Sequence, residues 1–508
     1  MVIMNIIDKI KSSFLVHKTK QTATENALSD AAHNAASGVR PAMVSFKPLE
    51  RVADSDIVGE LSLIRARSRD IIRNSSIGAG IIKLMARGVI GDGLKLMPAI
   101  NGAVLGLSRE KVKEIENKIE SEFSLWAESL FCDSENTSNF YALQDLAFSS
   151  FLENGDVFAL LTYIKNPVTD YTLSINLIES DICITPSQYI NAAGVMLGVR
   201  KNKYNAPVSY FFKTNLPRSE MQAYNYYANI LDDEYREVPA YDSKHRRQLL
   251  HIFKKNRVGQ TRGIPFLTPV LEQLKQIERY SDAELMASVI SSKYTVFIKN
   301  PQNETLAPAS ITGEPGAEQH NNDLHLGDGV IAELGEGQDI VIANPARPNA
   351  QFADFISFTI KKIGMGLGLP FEVLMQSFTS SYSASRGSLL EAEKTFLKYR
   401  QAFINDFCKP VYEHFLDEMV ALGKIDAPGY NEPAKRKAYL NAYWLAPKKS
   451  QIDELKEVNA AVARIEAGLS NKTVETMNLT GMKYENVLEI RKHEIEMEKE
   501  IQENNDRT

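Results

Sequence analysis

Cysteine is scarce in this sequence: Cys132, Cys183 and Cys408 are the only three in 508 residues. Their odd number and wide spacing leave no disulfide framework and no CxxC metal pair to read, and they suit a reducing compartment. Positive charge is also in short supply. With 58 Lys and Arg against 64 Asp and Glu, the formal charge is -6 and the pI about 5.9, so the chain does not wrap nucleic acid by bulk charge. Any contact with DNA must be local or weak. No apolar run approaches the roughly 20 residues needed to span a bilayer. Asp8, Lys9 and Lys11 interrupt residues 1–16, so neither a membrane span nor a signal peptide is expected. Ile3, Ile6, Ile7, Ile10 and Phe14 fall at helical spacing, which suits a short amphipathic helix on the protein itself, on a partner or on a membrane surface.

What is present is a globular composition, 44% hydrophobic and 24% charged, on a chain long enough for two or more structural units. Residues 17–47 are rich in Ala, Ser, Thr and Asn without apolar periodicity and read as a mobile arm. Helical patterns follow through Ile57, Leu61, Ile64 and Ile71 and through residues 81–84, ending at a turn at Val89-Ile90-Gly91-Asp92-Gly93. Ser108 is placed to cap a helix over 111–126. After a helix over 143–153, alternating runs at 157–164 and 171–178 and the apolar His251-Ile252-Phe253 read as strands.

A second regime starts near Gly263. Thr268 as N-cap, Pro269 and Glu272 announce a long helix to about residue 293, with Leu274, Ile277, Leu285 and Val289 in its apolar stripe. Residues 294–350 are short β-like pieces among Gly, Pro, Asn and acids. A second helix carries Phe352, Phe355, Ile360, Ile363 and Leu367 and is expected to break down at Gly364, Gly366, Gly368 and Pro370. The uncharged stretch 377–385 follows, then the longest helix, about 386–422, with Pro410 as its expected kink. Ser450 and Asp453 open a C-terminal helix that reaches Gly468, and a charged helix or tail runs from Lys483.

Catalytic patterns do not assemble. In the Gly88 to Lys95 stretch Leu94 separates Gly93 from Lys95, where a phosphate loop needs Lys directly after its last Gly. His493-Glu494 is followed at the second zinc-ligand position by Met497. Asp156, Glu179 and Asp181 lie near strand ends, as magnesium ligands of a nuclease would, but without a clustered third carboxylate they read as turn and surface positions. His251 reads as a packing residue rather than a base. Lys254, Lys255, Arg257 and Arg262 form a local basic cluster that suits either a phosphate or acidic neighbour, or an ordinary loop.

Several ordered motifs are more specific. His251-Ile252-Phe253, Arg257, Gly259-Gln260-Thr261-Arg262-Gly263-Ile264-Pro265 and Asp282-Ala283-Glu284 resemble the signature of lambda-type portal proteins of tailed phages. Arg69-Asp70 with Arg73-Asn74, Asn154-Gly155-Asp156, Leu369-Pro370-Phe371-Glu372 and Tyr382-Ser383-Ala384-Ser385-Arg386 continue it. So do Trp444, Pro447, Ile452-Asp453, Lys456-Glu457 and Ile465-Glu466-Ala467-Gly468-Leu469, so that it covers about residues 50–485. Glu454 and Val258 stand where the family often has proline.

The resemblance implies an α+β portal fold: mixed α/β wing, two-helix stem, small β-containing clip, long kinked helix and helical crown, twelve copies forming a ring around a DNA channel. Residues 1–50 would be an N-terminal helix and arm, 51–263 and 387–448 the wing, 264–293 and 351–368 the stem. The clip would be 294–350, the tunnel loop region 369–386, and the crown with a charged tail 449–508. It further implies a conduit at one capsid vertex for packaging and ejection of double-stranded DNA, read without sequence preference. Docking to the terminase large subunit, a head-tail connector, capsid and scaffold proteins is implied, with assembly in the bacterial cytoplasm. No catalytic residue, metal or cofactor is expected; the alternative is a nuclease or ATPase of the packaging machinery. Ser377, Thr379, Ser380, Ser381, Tyr382, Ser383, Ser385 and Arg386 would line the channel. Glu314, Glu318, Asp323, Asp328, Glu333, Glu336 and Asp339 would meet basic partner surfaces.

Overall fold

The computed structural model describes residue 35 and residues 40–214, 234–292, 296–299, 339–342, 351–379, 381–446, 453–482 and 484–505. The chain divides into two units. In the first, residues up to 59 with 257–259, the short helices are α1 (Pro41–Val44) and α2 (Ala53–Ile57), and the Arg257 guanidinium pairs with Asp56 and donates to the Arg51 carbonyl at 3.0 Å.

The second unit mixes helices and antiparallel sheets. Its elements in order are α3 (Leu61–Asn74), α4 (Ser76–Val89), β1 (Lys95–Pro98), α5 (Gly102–Leu105), α6 (Arg109–Glu128), α7 (Phe140–Asn154), β2 (Asp156–Tyr163), β3 (Leu173–Ile178), β4 (Val195–Met196), β5 (Val199–Lys201), β6 (Pro207–Lys213), β7 (Tyr235–Pro239) and β8 (Leu249–Phe253). Then come α8 (Leu271–Ser292), β9 (Val296–Lys299), β10 (Asp339–Ile342), α9 (Phe352–Leu367), α10 (Phe371–Leu374), α11 (Tyr382–Phe403), α12 (Lys409–Ala421), α13 (Pro433–Tyr439), β11 (Ala442–Leu445), α14 (Glu454–Glu466), α15 (Lys472–Thr480) and α16 (Tyr484–Asn505).

Strand β2 organises the body, pairing antiparallel with both β3 and β8, so that Val157 lies opposite Ile252 and Leu161 opposite Ile175. Val157, Ala159 and Leu161 enter the main core, whereas Phe158 points into a second, smaller core with Tyr210, Phe212 and Val238 from the sheet β4-β5-β6-β7. Burial on both faces is why β2 reads as an unbroken apolar run. At the centre of the main core is Phe123 of α6, whose ring centroid lies 5.1–6.1 Å from those of Trp126, Phe140, Tyr412, Phe415 and Trp444. The Trp126 indole donates to the Leu173 carbonyl at 2.9 Å, which satisfies the one polar atom this ring buries. Ser108 caps α6 as expected, accepting from the Lys111 amide at 3.3 Å.

Three local expectations need correction. Thr268 does not cap a helix: its hydroxyl donates to the Pro265 carbonyl at 2.7 Å, a short 3-10 turn takes up Thr268–Val270, and α8 starts at Leu271. Helix α9 runs through Gly364 and Gly366 and stops only at Gly368, whose φ is +70°. A Cβ on Gly364 would sit 2.4 Å from the Leu369 carbonyl oxygen and one on Gly366 2.9 Å from Val270, so these glycines permit close packing rather than breakage. The long helix starts at Tyr382, because the Ser381 hydroxyl accepts from the Ala384 amide at 3.4 Å. Its irregularity is one wide π turn, Ile404–Cys408, just before Pro410, which has no N–H to give and crowds the carbonyl a turn earlier. Strand β1, too short to show alternation in the sequence, pairs with β11, Leu96 opposite Trp444, and joins parts of the chain over 300 residues apart.

Two backbones meet closely at Gly155, at φ +88° past the end of α7, and Gly263. A Cβ built on Gly263 would fall 1.8 Å from the Gly155 carbonyl oxygen. The Gly263→Ala variant is therefore expected to lose about 3 kcal/mol or more, since neither backbone can retreat. Urea denaturation of wild type and variant measures this, and an unchanged midpoint would show that the approach is relieved elsewhere.

Candidate functional site

Beneath that glycine contact is a sealed ion cluster built on Asp156, the first residue of β2. Its Oδ1 accepts from Arg65 Nη2 at 2.7 Å and Arg262 Nη2 at 3.2 Å. Its Oδ2 accepts from Arg262 Nε at 2.5 Å, His251 Nε2 at 3.2 Å and the Gly263 amide at 3.2 Å. The remaining N–H groups of Arg262 go to the carbonyls of Cys183, Leu197 and Ser180 at 2.7–2.9 Å, so all five of its donors are used. Arg65 also donates to the Asn154 carbonyl at 2.8 Å, and Arg69 bridges Asn154 Oδ1 and Asp181 Oδ2 at 2.7 and 2.5 Å.

Burial opposes ionisation of Asp156, but the Arg262 and Arg65 guanidiniums override it and hold the carboxyl well below its ordinary range. Burial pushes the His251 imidazole down to about 4 despite the carboxylate beside it, so near neutrality it is uncharged and donates its Nε2 proton to Asp156. Its ring stacks between Phe158 and Phe253 at centroid distances of 4.4 and 4.1 Å. His251 is the packing residue expected, with a second role. Asp156, by contrast, is no turn or surface carboxylate. Its oxygens are engaged by cations and closed to solvent, so the cluster binds the fold rather than a metal.

The basic cluster read from the sequence is dispersed among separate partners. Arg262 is buried on Asp156, Arg257 belongs to the first unit with Asp56, and Lys255 lies over the Phe253 ring at 5.8 Å. Lys254 lies over the Tyr399 ring at 4.7 Å.

The segment from 369 to 386 is a second locality. Gly368 turns the chain, with its carbonyl held by the Thr395 hydroxyl at 2.7 Å. After α10, the Ser377 amide returns to the Glu372 carbonyl at 3.0 Å and Gln376 takes φ +50°. Ser377, Thr379, Ser381, Tyr382 and Ser383 are exposed, whereas Ser385 is buried in α11; Ser380 lies outside the described residues. Arg386 forms a 2.8 Å ion pair with Glu457 of α14, and the Lys456 ammonium lies 4.9 Å from the Tyr382 ring centroid. Met375 and Phe378, both over 40% exposed in this segment, carry no signal in the sequence because each stands singly rather than in an apolar stripe.

Of the expected clip acids, Glu314, Glu318, Asp323, Asp328, Glu333 and Glu336 lie outside the described residues. Asp339 opens β10 opposite Lys299 of β9. The paired helices α8 and α9 are a third locality. Leu274, Ile277, Ile360, Ile363 and Leu367 are buried, but Leu285, Met286, Val289, Phe355 and Phe358 are 45–66% exposed. Among the described residues only one end of the apolar stripe is buried.

Residues 40–400 match the sequence model of the phage portal proteins of the lambda family. The chain belongs to this family. The portal protein of Escherichia phage N15 is 22% identical over 462 residues, covering 86% of this chain and 85% of that protein. Portal protein B of Escherichia phage lambda is 22% identical over 461 residues, covering 86% and 84%. Among solved structures, a chain in the neck of a native gene transfer agent particle computed with C12 symmetry has a TM-score of 0.40 and 12% identity, covering 81% of this chain and 93% of that one. Among the described residues no helix is long and apolar enough to cross a membrane.

Asp156→Asn removes the charge that holds two buried guanidiniums and is expected to cost about 3–5 kcal/mol, measured by chemical denaturation. A second outcome concerns pH. Between pH 6.5 and about 4 the unfolded chain takes up a proton at His251 that the folded chain refuses, so stability present above pH 6.5 is lost as pH falls to about 4. The His251→Gln variant lacks this component, and its stability deficit relative to wild type should shrink over that window. A deficit constant with pH would contradict the assignment.

Proposed function

We propose that the chain assembles into a closed ring at one vertex of a phage capsid, the conduit through which DNA is packaged and ejected and the platform on which packaging and tail components dock. The observation that carries this reading, beyond family membership, is the uncovered half of the α8–α9 pair. Five large apolar side chains on two adjacent helices cost free energy in water, and a head-to-tail neighbour presenting the same flank covers them and closes a ring.

In this reading α8 and α9 form the stem, about 33 Å long on the 22 residues of α8 at 1.5 Å per residue. The β1–β11 pairing supports treating 51–263 and 387–448 as one wing, and 294–350 and 449–508 are assigned to clip and crown. The ring is a dodecamer, assembled in the bacterial cytoplasm and retained in the virion. Terminase, the head-tail connector, capsid and scaffold proteins are its protein partners, with the acidic clip meeting basic surfaces. The segment around Ser377, Thr379 and Ser381 faces the channel, where neutral hydroxyls touch phosphates without holding them, and a net charge of -6 keeps the conduit from binding its load. Arg386 is placed in this reading as a strap to α14 rather than as a DNA contact, since its charge is already paired. The reading needs no catalytic residue and no cofactor, and neither the matched family nor the relatives above carry an enzyme's name.

Leu285→Glu with Phe358→Glu should leave a folded chain that no longer assembles, read by native mass spectrometry and negative-stain imaging. Rings formed as readily as by wild type would remove the interface. Changing Ser377, Thr379 and Ser381 together to glycine in an intact phage should leave rings assembled but lower the DNA packaged or retained. Full packaging and infectivity would take this segment out of the channel.

A further inference from the structure

A groove on the body of the second unit is used by none of the roles above. One wall is α11 from Lys394 to Phe403, and the others are the end of β8, the 264–269 approach to α8 and the end of α9. Its floor is aromatic. Tyr399 lies 6.3 Å from Phe151 and 5.7 Å from Phe266, both half-buried. At one end the floor opens into a small cavity of about 100 Å³ lined mainly by apolar groups, among them Ile252, Phe253, Ala402 and Phe403, with room for one bulky side chain.

Three lysines rim the groove: Lys254, Lys394 and Lys398. Lys254 donates to the Tyr399 hydroxyl at 3.1 Å, which leaves its charge uncompensated, and Lys398 makes no ion pair among the described residues. Lys394 pairs with Glu391 at 2.6 Å on the open face of α11. The wide part of the groove has no carboxylate in its lining; the acids beside it are Glu391, paired with Lys394, and Asp406, at the edge of the apolar cavity. In a chain of net charge -6, a cationic rim over an aromatic floor is a local reversal of sign.

We infer that this groove docks an acidic peptide segment of a partner protein, with one bulky apolar side chain seated in the cavity and flanking carboxylates on Lys254, Lys394 and Lys398. Charge complementarity selects an acidic ligand, and the cavity selects a peptide among acidic ligands. A DNA backbone would use the lysines but leave the apolar cavity empty. Binding at this groove is a property of the single chain, so it stands or falls separately from ring assembly.

The test uses the full-length protein and fluorescein-labelled peptides in an anisotropy titration. A DEDFDED peptide should saturate. Its DEDGDED counterpart, lacking the apolar side chain, should bind at least about tenfold more weakly, as should a KRKFKRK peptide. Lys398→Glu with Lys394→Glu should weaken DEDFDED by a similar factor, and Ala402→Trp, which fills the cavity from an exposed position, should do so independently. Unchanged melting curves would show that these exposed substitutions leave the fold intact. If DEDGDED binds as well as DEDFDED, or neither substitution weakens binding, the assignment is wrong. If a 12-base-pair duplex binds more tightly than the peptide and is lost with the lysines alone, the groove is a nucleic-acid contact instead. If peptide binding is displaced as the protein self-associates at rising concentration, the occupant is a second copy of this chain.

Discussion

One buried carboxylate organises the larger unit. Asp156 begins the central strand β2, and the groups that satisfy it come from α3 through Arg65, from β8 through His251, and from the segment after β8 through Arg262 and the Gly263 amide. A carboxylate with no access to water is tolerable only if its charge and lone pairs are fully met. Each donor therefore has to be present for the others to stay buried. The Gly155–Gly263 approach is a condition of the same arrangement, because any side chain at either position would push the 262–263 backbone off the carboxylate. Residues cited for the family resemblance, Asn154-Gly155-Asp156, His251 and Arg262-Gly263 among them, meet in this one place.

From that anchor the two cores grow in opposite directions. Neighbouring residues of β2 alternate between the aromatic cluster around Phe123 and the smaller core around Tyr210 and Phe212. The long helix packs along the first, and its π turn before Pro410 lets Phe403, Phe407 and Phe415 all reach that core. Arg400 adds a polar tie, donating to the Val89 and Gly88 carbonyls at 3.0 and 2.6 Å and so closing the end of α4. Gly88, which in the sequence stood in a near-miss for a phosphate loop, is where the Phe396 ring lies against that helix, with no room for a Cβ.

The body buries its own core, while the α8–α9 pair is apolar beyond what the described residues cover. Rigid, saturated packing in one region and uncovered apolar flanks in another is the distribution expected of a subunit that folds first and assembles afterwards. The strap between α11 and α14, Arg386 to Glu457 with Lys456 over Tyr382, ties the start of the longest helix to the C-terminal helices through groups still open to solvent in part, and solvent-screened pairs of this kind hold weakly.

The sequence by itself determined most helices, the strands β2, β3 and β8, and the family. These rest on local signals: a 3.6-residue apolar period in α6, a cap at Ser108, an apolar run at 157–164, and motifs of fixed spacing. It also pointed to apolar flanks on α8 and α9 beyond what one chain covers, and the structure shows which side chains these are. Only the tertiary structure decided the β1–β11 pairing, the fate of Asp156 and the scattering of the basic cluster, because each depends on a partner far away in the chain. Asp156 and Asp181 look alike in sequence, both carboxylates near a strand end. One is sealed behind Arg262 and the other is 40% exposed beside Arg69; α3 reaches both, and the difference is set by Arg262, brought onto Asp156 alone from about 100 residues away, which no local pattern of residues carries.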